Sequence, residues 1–193
     1  AEIGDVQVRN CGTIGGSLAH ADPSGDWPAA MLAVEAEMTL VARKGTRTVA
    51  AKAFFVDILT SALEPGEILT EIRFAADREP SGSAYRKLHQ PASGYALVGV
   101  AMRVALGEGK RCRQARVGIT GVGSKAYRAR GVEQALENQS VSAKLIAQAA
   151  GKAAAGVEAR SDLHGSAEYR AAMAEVFTRR ALTAAFERAR HGG

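Results

Sequence analysis

Cysteine occurs only twice, at Cys11 and Cys112, too rarely for the disulfide framework of a small secreted scaffold. Both thiols are expected to be free. Aromatic residues make up 5% of the chain, and they are not interleaved with basic side chains as a base-stacking surface requires. No apolar run reaches the roughly 18 residues of a membrane-spanning helix. The start carries no basic-then-apolar targeting segment. Two cysteines and four scattered histidines never fall at metal-ligand spacing. The expectation is a soluble, cytoplasmic protein with no membrane span, no resident metal and no nucleic-acid partner.

What is present is a chain of 193 residues, 47% hydrophobic and rich in alanine, long enough for one large domain or two small ones. Its charge is uneven. Residues 1–109 hold 10 Lys/Arg against 13 Asp/Glu, and residues 110–193 hold 15 against 7. The basic excess is dispersed among alanines on helical stretches, which reads as a solvated face or a subunit contact.

Periodicity divides the chain. Asp5–Asn10 reads as the end of a strand, so the chain opens in the middle of an element. Gly25–Glu35 places Trp27, Ala30, Met31 and Val34 at helical spacing, with Pro28 in the first turn and Ser24 or Asp26 as cap. Glu37–Ala42 and Thr46–Ala50 form a hairpin signal around Gly45. Ala53–Leu59 predicts a short helix. Ile68–Phe74 predicts a strand with Ile68, Thr70, Ile72 and Phe74 on one face. A stretch rich in Pro, Ser, Gly and charge at Ala75–Ser83 marks a boundary between domains at residues 1–80 and 84–190. Beyond it, Ala84–Leu88, Ala96–Leu106 and Gln114–Thr120 predict three strands. Ala129–Glu137, Ser142–Gly156 and Ala167–Arg190 predict helices, with Ser142 and Ser166 as caps. The last helix is expected to gather Tyr169, Met173, Val176 and Arg180 on one face.

The sharpest motif is Gly12-Thr13-Ile14-Gly15-Gly16-Ser17, followed by His20-Ala21-Asp22-Pro23 and Asp26. Paired glycines let backbone N–H groups approach an anion unobstructed. Thr13 and Ser17 add hydroxyl donors, and the helix near Asp26 adds its positive end. By itself the pattern serves a tight turn and a phosphate cradle equally well. Three further features read as structural. Gly118-Ile119-Thr120-Gly121-Val122-Gly123 lacks the glycine and the acidic strand end of a dinucleotide fingerprint, and reads as a turn. His164 has no evident nucleophile partner, and Cys11 reads as packing.

The stretch from Arg9 to Pro23, with Asp26-Trp27-Pro28-Ala29-Ala30, resembles the second FAD-binding segment of the medium subunit of carbon monoxide dehydrogenases and of the flavin part of xanthine dehydrogenases. The resemblance continues in order through Gly66–Ile72, Tyr85-Arg86-Lys87-Leu88, Ser93-Gly94-Tyr95-Ala96, Asp162–Arg170 and Arg179-Arg180-Ala181-Leu182. It implies an α+β fold: the second half of an FAD-binding α/β domain, then a three-stranded antiparallel sheet packed on a helical bundle. It also implies residue roles. Thr13, Ile14, Gly15, Gly16 and Ser17 would line the pyrophosphate and ribityl chain of FAD. Asp26 would make a polar contact to the flavin, and Leu69, or its neighbour Ile68, a contact from the strand. Lys87 would lie near the isoalloxazine edge, where a cation favours the anionic reduced ring, and Tyr95 would shield one ring face. No residue is expected to be a catalytic nucleophile.

The implied activity is electron transfer in a molybdenum hydroxylase. A large subunit would carry the molybdenum cofactor and a small subunit two [2Fe-2S] clusters. FAD would collect their electrons for an external acceptor, in a dimer of heterotrimers. The family's earlier segment, Ala-Gly-Gly-Thr-Asp-Leu, is not found in these residues, which implies that they carry one wall of the pocket. A rival expectation follows from that departure: a truncated, flavin-free fragment acting only as an assembly module for the other subunits.

Overall fold

A computed structural model describes residues 3–76 and 81–191. Two sheets organise it. The first has three antiparallel strands in the order β2-β1-β5, formed by β1 (Glu37–Ala42), β2 (Gly45–Ala50) and β5 (Ile68–Arg73). Three short helices precede it: α1 (Val6–Cys11), α2 (Ile14–His20) and α3 (Asp26–Ala33). Between β2 and β5 lie α4 (Ala51–Phe54) and the small hairpin β3 (Phe55–Asp57) and β4 (Thr60–Ser61). The second sheet has the order β6-β7-β8-β9, from β6 (Ser81–His89), β7 (Ala96–Leu106), β8 (Cys112–Thr120) and β9 (Tyr127–Arg128). The helices α5 (Arg130–Leu136), α6 (Ala143–Ala150) and α7 (Ala167–His191) follow.

The second sheet is covered on both faces, and alternation along its strands shows how. Val100, Met102, Val117 and Ile119 share a core with Leu182, Ala185 and Phe186 of α7. The intervening Ala101 packs with Ala29 and Ala33 of α3. A strand buried on both faces reads as a continuous apolar run, and every residue of β7 except Arg103 is buried. Glycine makes the close approach possible. A Cβ on Gly118 would sit 2.1 Å from the carbonyl oxygen of Ala29, and one on Gly82 would sit 2.0 Å from that of Ala185.

Charge joins the same surfaces. Arg128 grips the buried Glu133 through two bonds of 2.6 and 2.8 Å and reaches Glu35, at the end of α3, at 3.1 Å. Arg116 pairs with Glu35 at 2.7 Å and with Glu137 at 3.3 Å. Burial works to raise the pKa of Glu35, but the two guanidinium groups outweigh it and hold the carboxyl below its ordinary range.

Several expectations need correction. Asp5–Asn10 is not a strand: the Asp5 side chain accepts from Val8 N–H at 2.8 Å and caps α1, a local bond that needs no partner strand. Ala53–Leu59 is not one helix. The chain leaves α4 at Phe54, and Phe55 turns into the β3–β4 hairpin, with both rings buried in an edge-to-face contact 5.4 Å between centroids. In β5 a bulge opposite Thr39 and Leu40 breaks the strict alternation. Leu69 and Ile72 therefore pack inward, while Ile68 and Phe74 are exposed. The second sheet gains the short fourth strand β9, so the expected three-stranded count is one too few. α6 ends at Ala150, and Gly151 starts a run of turns. In α7 the buried face carries Arg170, Ala174, Phe177, Ala181 and Leu182, leaving Tyr169 and Arg180 outside. Ser142 and Ser166 do cap their helices, accepting from Leu145 and Tyr169 N–H. Residues 77–80 of the expected boundary lie outside the described residues. Among the described residues no helix is long and apolar enough to cross a membrane.

Candidate functional site

The glycine motif is helical. Thr13 is the N-cap of α2, and its hydroxyl accepts from Gly16 N–H at 2.9 Å. Gly15 and Gly16 thus occupy the first turn of a helix, where a loop nest was expected. A Cβ on Gly16 would crowd that hydroxyl at 2.9 Å, whereas one on Gly15 would meet nothing. Leu18 and Ile14 anchor α2 in the same apolar cluster as Leu69 of β5. α2 ends on Ala21 in the left-handed region, at φ 53°, a conformation that turns the chain sharply. The next segment is stitched to the second sheet: Thr120 Oγ1 donates to the carbonyls of Pro23 and Gly25 at 2.7 and 2.9 Å, and Ala96 N–H donates to Ser24 O.

An open cleft of about 350 Å³ lies in front of this helix. Thr13, Gly16 and Ser17 line one side, and Asp26 and Tyr95 close it from the start of α3 and from the loop before β7. Ile14, Gly15, Leu69 and Lys87 are not part of its wall. Ile14 and Leu69 support α2 from behind.

Asp26 was a possible cap for α3, but Gly25 holds that position and no side chain caps the helix. The carboxylate, 7% exposed, accepts instead from the Tyr85 hydroxyl and lies 3.0 Å from Lys87 Nζ. Gly99 clears the way, because a Cβ there would stand 2.4 Å from the Tyr85 hydroxyl oxygen. Lys87 has a fully buried side chain and also donates to Gly94 O at 2.8 Å. A buried carboxylate is costly unless paired, and here it is paired within the protein. Lys87, expected beside a ligand's edge, does not line the cleft and bonds to Asp26, which does.

Tyr95 ends a tight turn. Gln90 N–H donates to Tyr95 O and Gly94 N–H to Gln90 O, both at 2.8 Å. Ser93 donates to Gln90 Oε1 from its N–H and its hydroxyl, and accepts from Tyr95 N–H at 3.2 Å. Beyond Tyr95 and Asp22 a second hollow of about 250 Å³ is lined by Arg160, His164 and Arg170, among others. Arg170 holds Asp162 through two bonds of 2.7 Å and donates to Leu97 O and Gly121 O. Burial would raise the Asp162 carboxyl, but Arg170 and His164 N–H outweigh it and keep it low. His164 sits in the exposed Asp162–Gly165 turn, 3.5 Å from Gln90 Nε2.

Both cysteines are free. Cys11 is exposed at the cleft, against the expectation that it packs. Burial pushes the Cys112 thiol up to about 12. Among the described residues no group of three His, Cys, Asp or Glu could hold a metal. Gly118 lies in an antiparallel strand against α3, and Gly121, at φ 87°, makes the turn that was expected. Sequence reasoning missed Tyr85 as the partner of Asp26. The signal was its two-residue spacing from Lys87, which puts both side chains on one face of β6.

Comparison with known proteins covers both parts of the chain. Residues 1–75 match the FAD binding domain in molybdopterin dehydrogenase, and residues 83–185 match the CO dehydrogenase flavoprotein C-terminal domain. The chain is 37% identical over 190 residues to the 6-hydroxypseudooxynicotine dehydrogenase complex subunit alpha of Paenarthrobacter nicotinovorans, covering 98% of this chain and 64% of that protein. It is 39% identical over 186 residues to the carbon monoxide dehydrogenase medium chain of Hydrogenophaga pseudoflava, covering 96% and 64%. Among solved structures, carbon monoxide dehydrogenase from Hydrogenophaga pseudoflava lacking the Mo-pyranopterin moiety superposes with a TM-score of 0.92 at 40% identity, over 97% of this chain and 65% of that one. Quinoline 2-oxidoreductase from Pseudomonas putida 86 gives 0.88 at 32% identity, over 98% and 65%. The chain spans less than two thirds of the length of these relatives.

Proposed function

This chain belongs to the CO dehydrogenase flavoprotein family, and from that premise we propose that it supplies one wall of the FAD site in the electron-transfer subunit of a molybdenum hydroxylase. The supporting observation is the cleft, which gathers Thr13, Gly16, Ser17, Asp26 and Tyr95 from three separate segments. The residues suit a dinucleotide flavin. Gly16 lines the cleft without a side chain, as close approach by a phosphate requires, and Gly15 beside it leaves the first turn of α2 equally bare. Thr13 and Ser17 carry hydroxyls. Asp26, its charge balanced by Lys87, offers an acceptor for a ligand N–H or hydroxyl, and Tyr95 offers an aromatic face. Leu69, Ile14 and Lys87 serve this site by supporting the residues that line it.

When bound, FAD supplies the redox chemistry. The chain binds and orients it and keeps water from one ring face. In this reading the protein divides into domains at residues 1–80 and 84–190. Its partners are a large subunit with the molybdenum cofactor and a small subunit with [2Fe-2S] clusters, assembled as a dimer of heterotrimers, and electrons pass from those clusters through FAD to an external acceptor. Gly16→Val in the intact subunit tests the cleft. The expected result is a large loss of bound flavin, read as the flavin-to-protein absorbance ratio of the purified complex. An unchanged ratio overturns the assignment of the Thr13–Ser17 wall, and a colourless wild-type complex favours a purely assembling role.

A further inference from the structure

Lys87 is anchored in β6 of the second sheet, yet its ammonium group ends between two pieces of the cleft wall. One bond goes to Asp26, at the start of α3, and one to the carbonyl of Gly94, in the turn that carries Tyr95. Gly94 is itself confined: its φ is +70°, and a Cβ there would stand 2.8 Å from Gly4 O, next to the cap of α1. The bonds inside the turn, between residues 90 and 95, shape it. At its two ends Gln90 Nε2 lies 3.5 Å from His164 Nδ1 and Ala96 N–H donates to Ser24 O, and Lys87 adds a side-chain bond at Gly94, beside Tyr95.

We propose that Lys87 is the positioning residue of this cleft: its ammonium group clasps the Gly94 carbonyl to the Asp26 carboxylate and so sets where Tyr95 stands over the bound ring. The proposal rests on the flavin reading for the ring, while the clasp itself concerns only this chain. The geometry separates two jobs for one side chain. Neutralising Asp26 needs only a positive charge or the removal of the negative one. Holding the turn needs a donor directed at Gly94 O, which no neutral apolar replacement provides.

The two jobs come apart in the double variant Asp26→Asn/Lys87→Met, which leaves no buried charge and nearly the same volume. Hydrogen exchange of the intact subunit, prepared without FAD, reads the clasp directly. Expected is about tenfold faster exchange across the 90–95 peptide in both Lys87→Met and the double variant, with the β7 peptide from 98 to 104 unchanged. If Lys87→Met does not fold, the double variant alone decides. Wild-type exchange at 90–95 in the double variant overturns the proposal, because Lys87 would then only balance Asp26. With FAD added, the fluorescence of the bound flavin reads the position of Tyr95. Expected is the same rise in yield for the double variant as for Tyr95→Ala, and no further rise when the two are combined. A fully additive rise overturns the link from Lys87 to Tyr95. Failure of the wild-type subunit to take up FAD would overturn the flavin reading, and the exchange measurement would still settle the clasp.

Discussion

The two parts of this molecule are built to different densities. The second sheet is buried on both faces, between α3 and α7, and its central strand β7 is enclosed along almost its whole length. The first sheet rests on a smaller cluster around Leu18, Met38, Leu40 and Phe54. The first part, with its β3–β4 hairpin, leaves Val56, Ile58, Leu59, Ile68 and Phe74 exposed, whereas the second part exposes few large apolar side chains, chiefly Leu163 and Tyr169. Apart from Tyr95, the cleft residues Thr13, Gly16, Ser17 and Asp26 belong to the thinner part by sequence, but the site takes its geometry from the denser one. Tyr85, Lys87 and Thr120, all on the second sheet, hold Asp26 and the segment before it. A dense, interdigitated core resists displacement, so side chains rooted in it can place groups that a small sheet alone would leave loose.

The largest expected effect tests that difference directly. Phe186→Ala, in the core beneath α7, should cost about 4 kcal/mol. Because α3 is seated on the same sheet, the loss should appear in one transition for the whole protein. Phe54→Ala should cost about 3 kcal/mol and open the first part ahead of the second. Denaturant unfolding followed by far-UV circular dichroism and by the single tryptophan, Trp27 in α3, checks this. Coincident transitions in both variants would erase the contrast. A cost like that of Phe54→Ala is expected at the seam. Gly118→Val would drive a side chain into the Ala29 carbonyl, for about 3 kcal/mol of overpacking and a shifted Trp27 emission. Wild-type stability there would mean that α3 does not depend on its seat. The smallest effect is electrostatic. Glu35→Gln removes one of the carboxylate partners of Arg116 and Arg128, and for a half-exposed, screened pair the loss is about 1 kcal/mol or less at neutral pH. The folded-state pKa of Glu35 lies below its ordinary value of 4.5. Its contribution is therefore full above that value and is lost as pH falls through the folded pKa. Melting temperatures of wild type and variant should converge in acid, and a gap that persists there would place the effect outside the ion pair.

Much of the element order was legible in the sequence because it rests on local patterns. The β1–β2 hairpin, the long apolar β7, the α3 spacing and the serine caps of α6 and α7 all emerge from periodicity and short-range bonds. The α1 helix was missed although its Asp5 cap is local, but other errors share an origin in contacts between distant residues. The bulge that turns Ile68 outward depends on the pairing of β5 with β1. The buried stripe of α7 is set by its packing on β6 and β7, and Arg170 within it reaches two backbone carbonyls and Asp162. The site shows the same division. Thr13, Gly16, Ser17, Asp26 and Tyr95 were readable from a motif and its resemblance, but Tyr85 was not, because its importance comes from a carboxylate 59 positions away.

By itself the sequence determined the family, the α+β class, the glycine pair between Thr13 and Ser17, and the presence of an acid, a lysine and a tyrosine in the ordered motifs that follow it. Only the tertiary structure decided what those three do to one another. It buried the Lys87 side chain and bonded it to Asp26 and to the turn bearing Tyr95. The reason is that a buried charge must find its counter-charge and its hydrogen bonds inside the fold, and which partners lie within 3 Å is set by how two sheets and the helix between them pack.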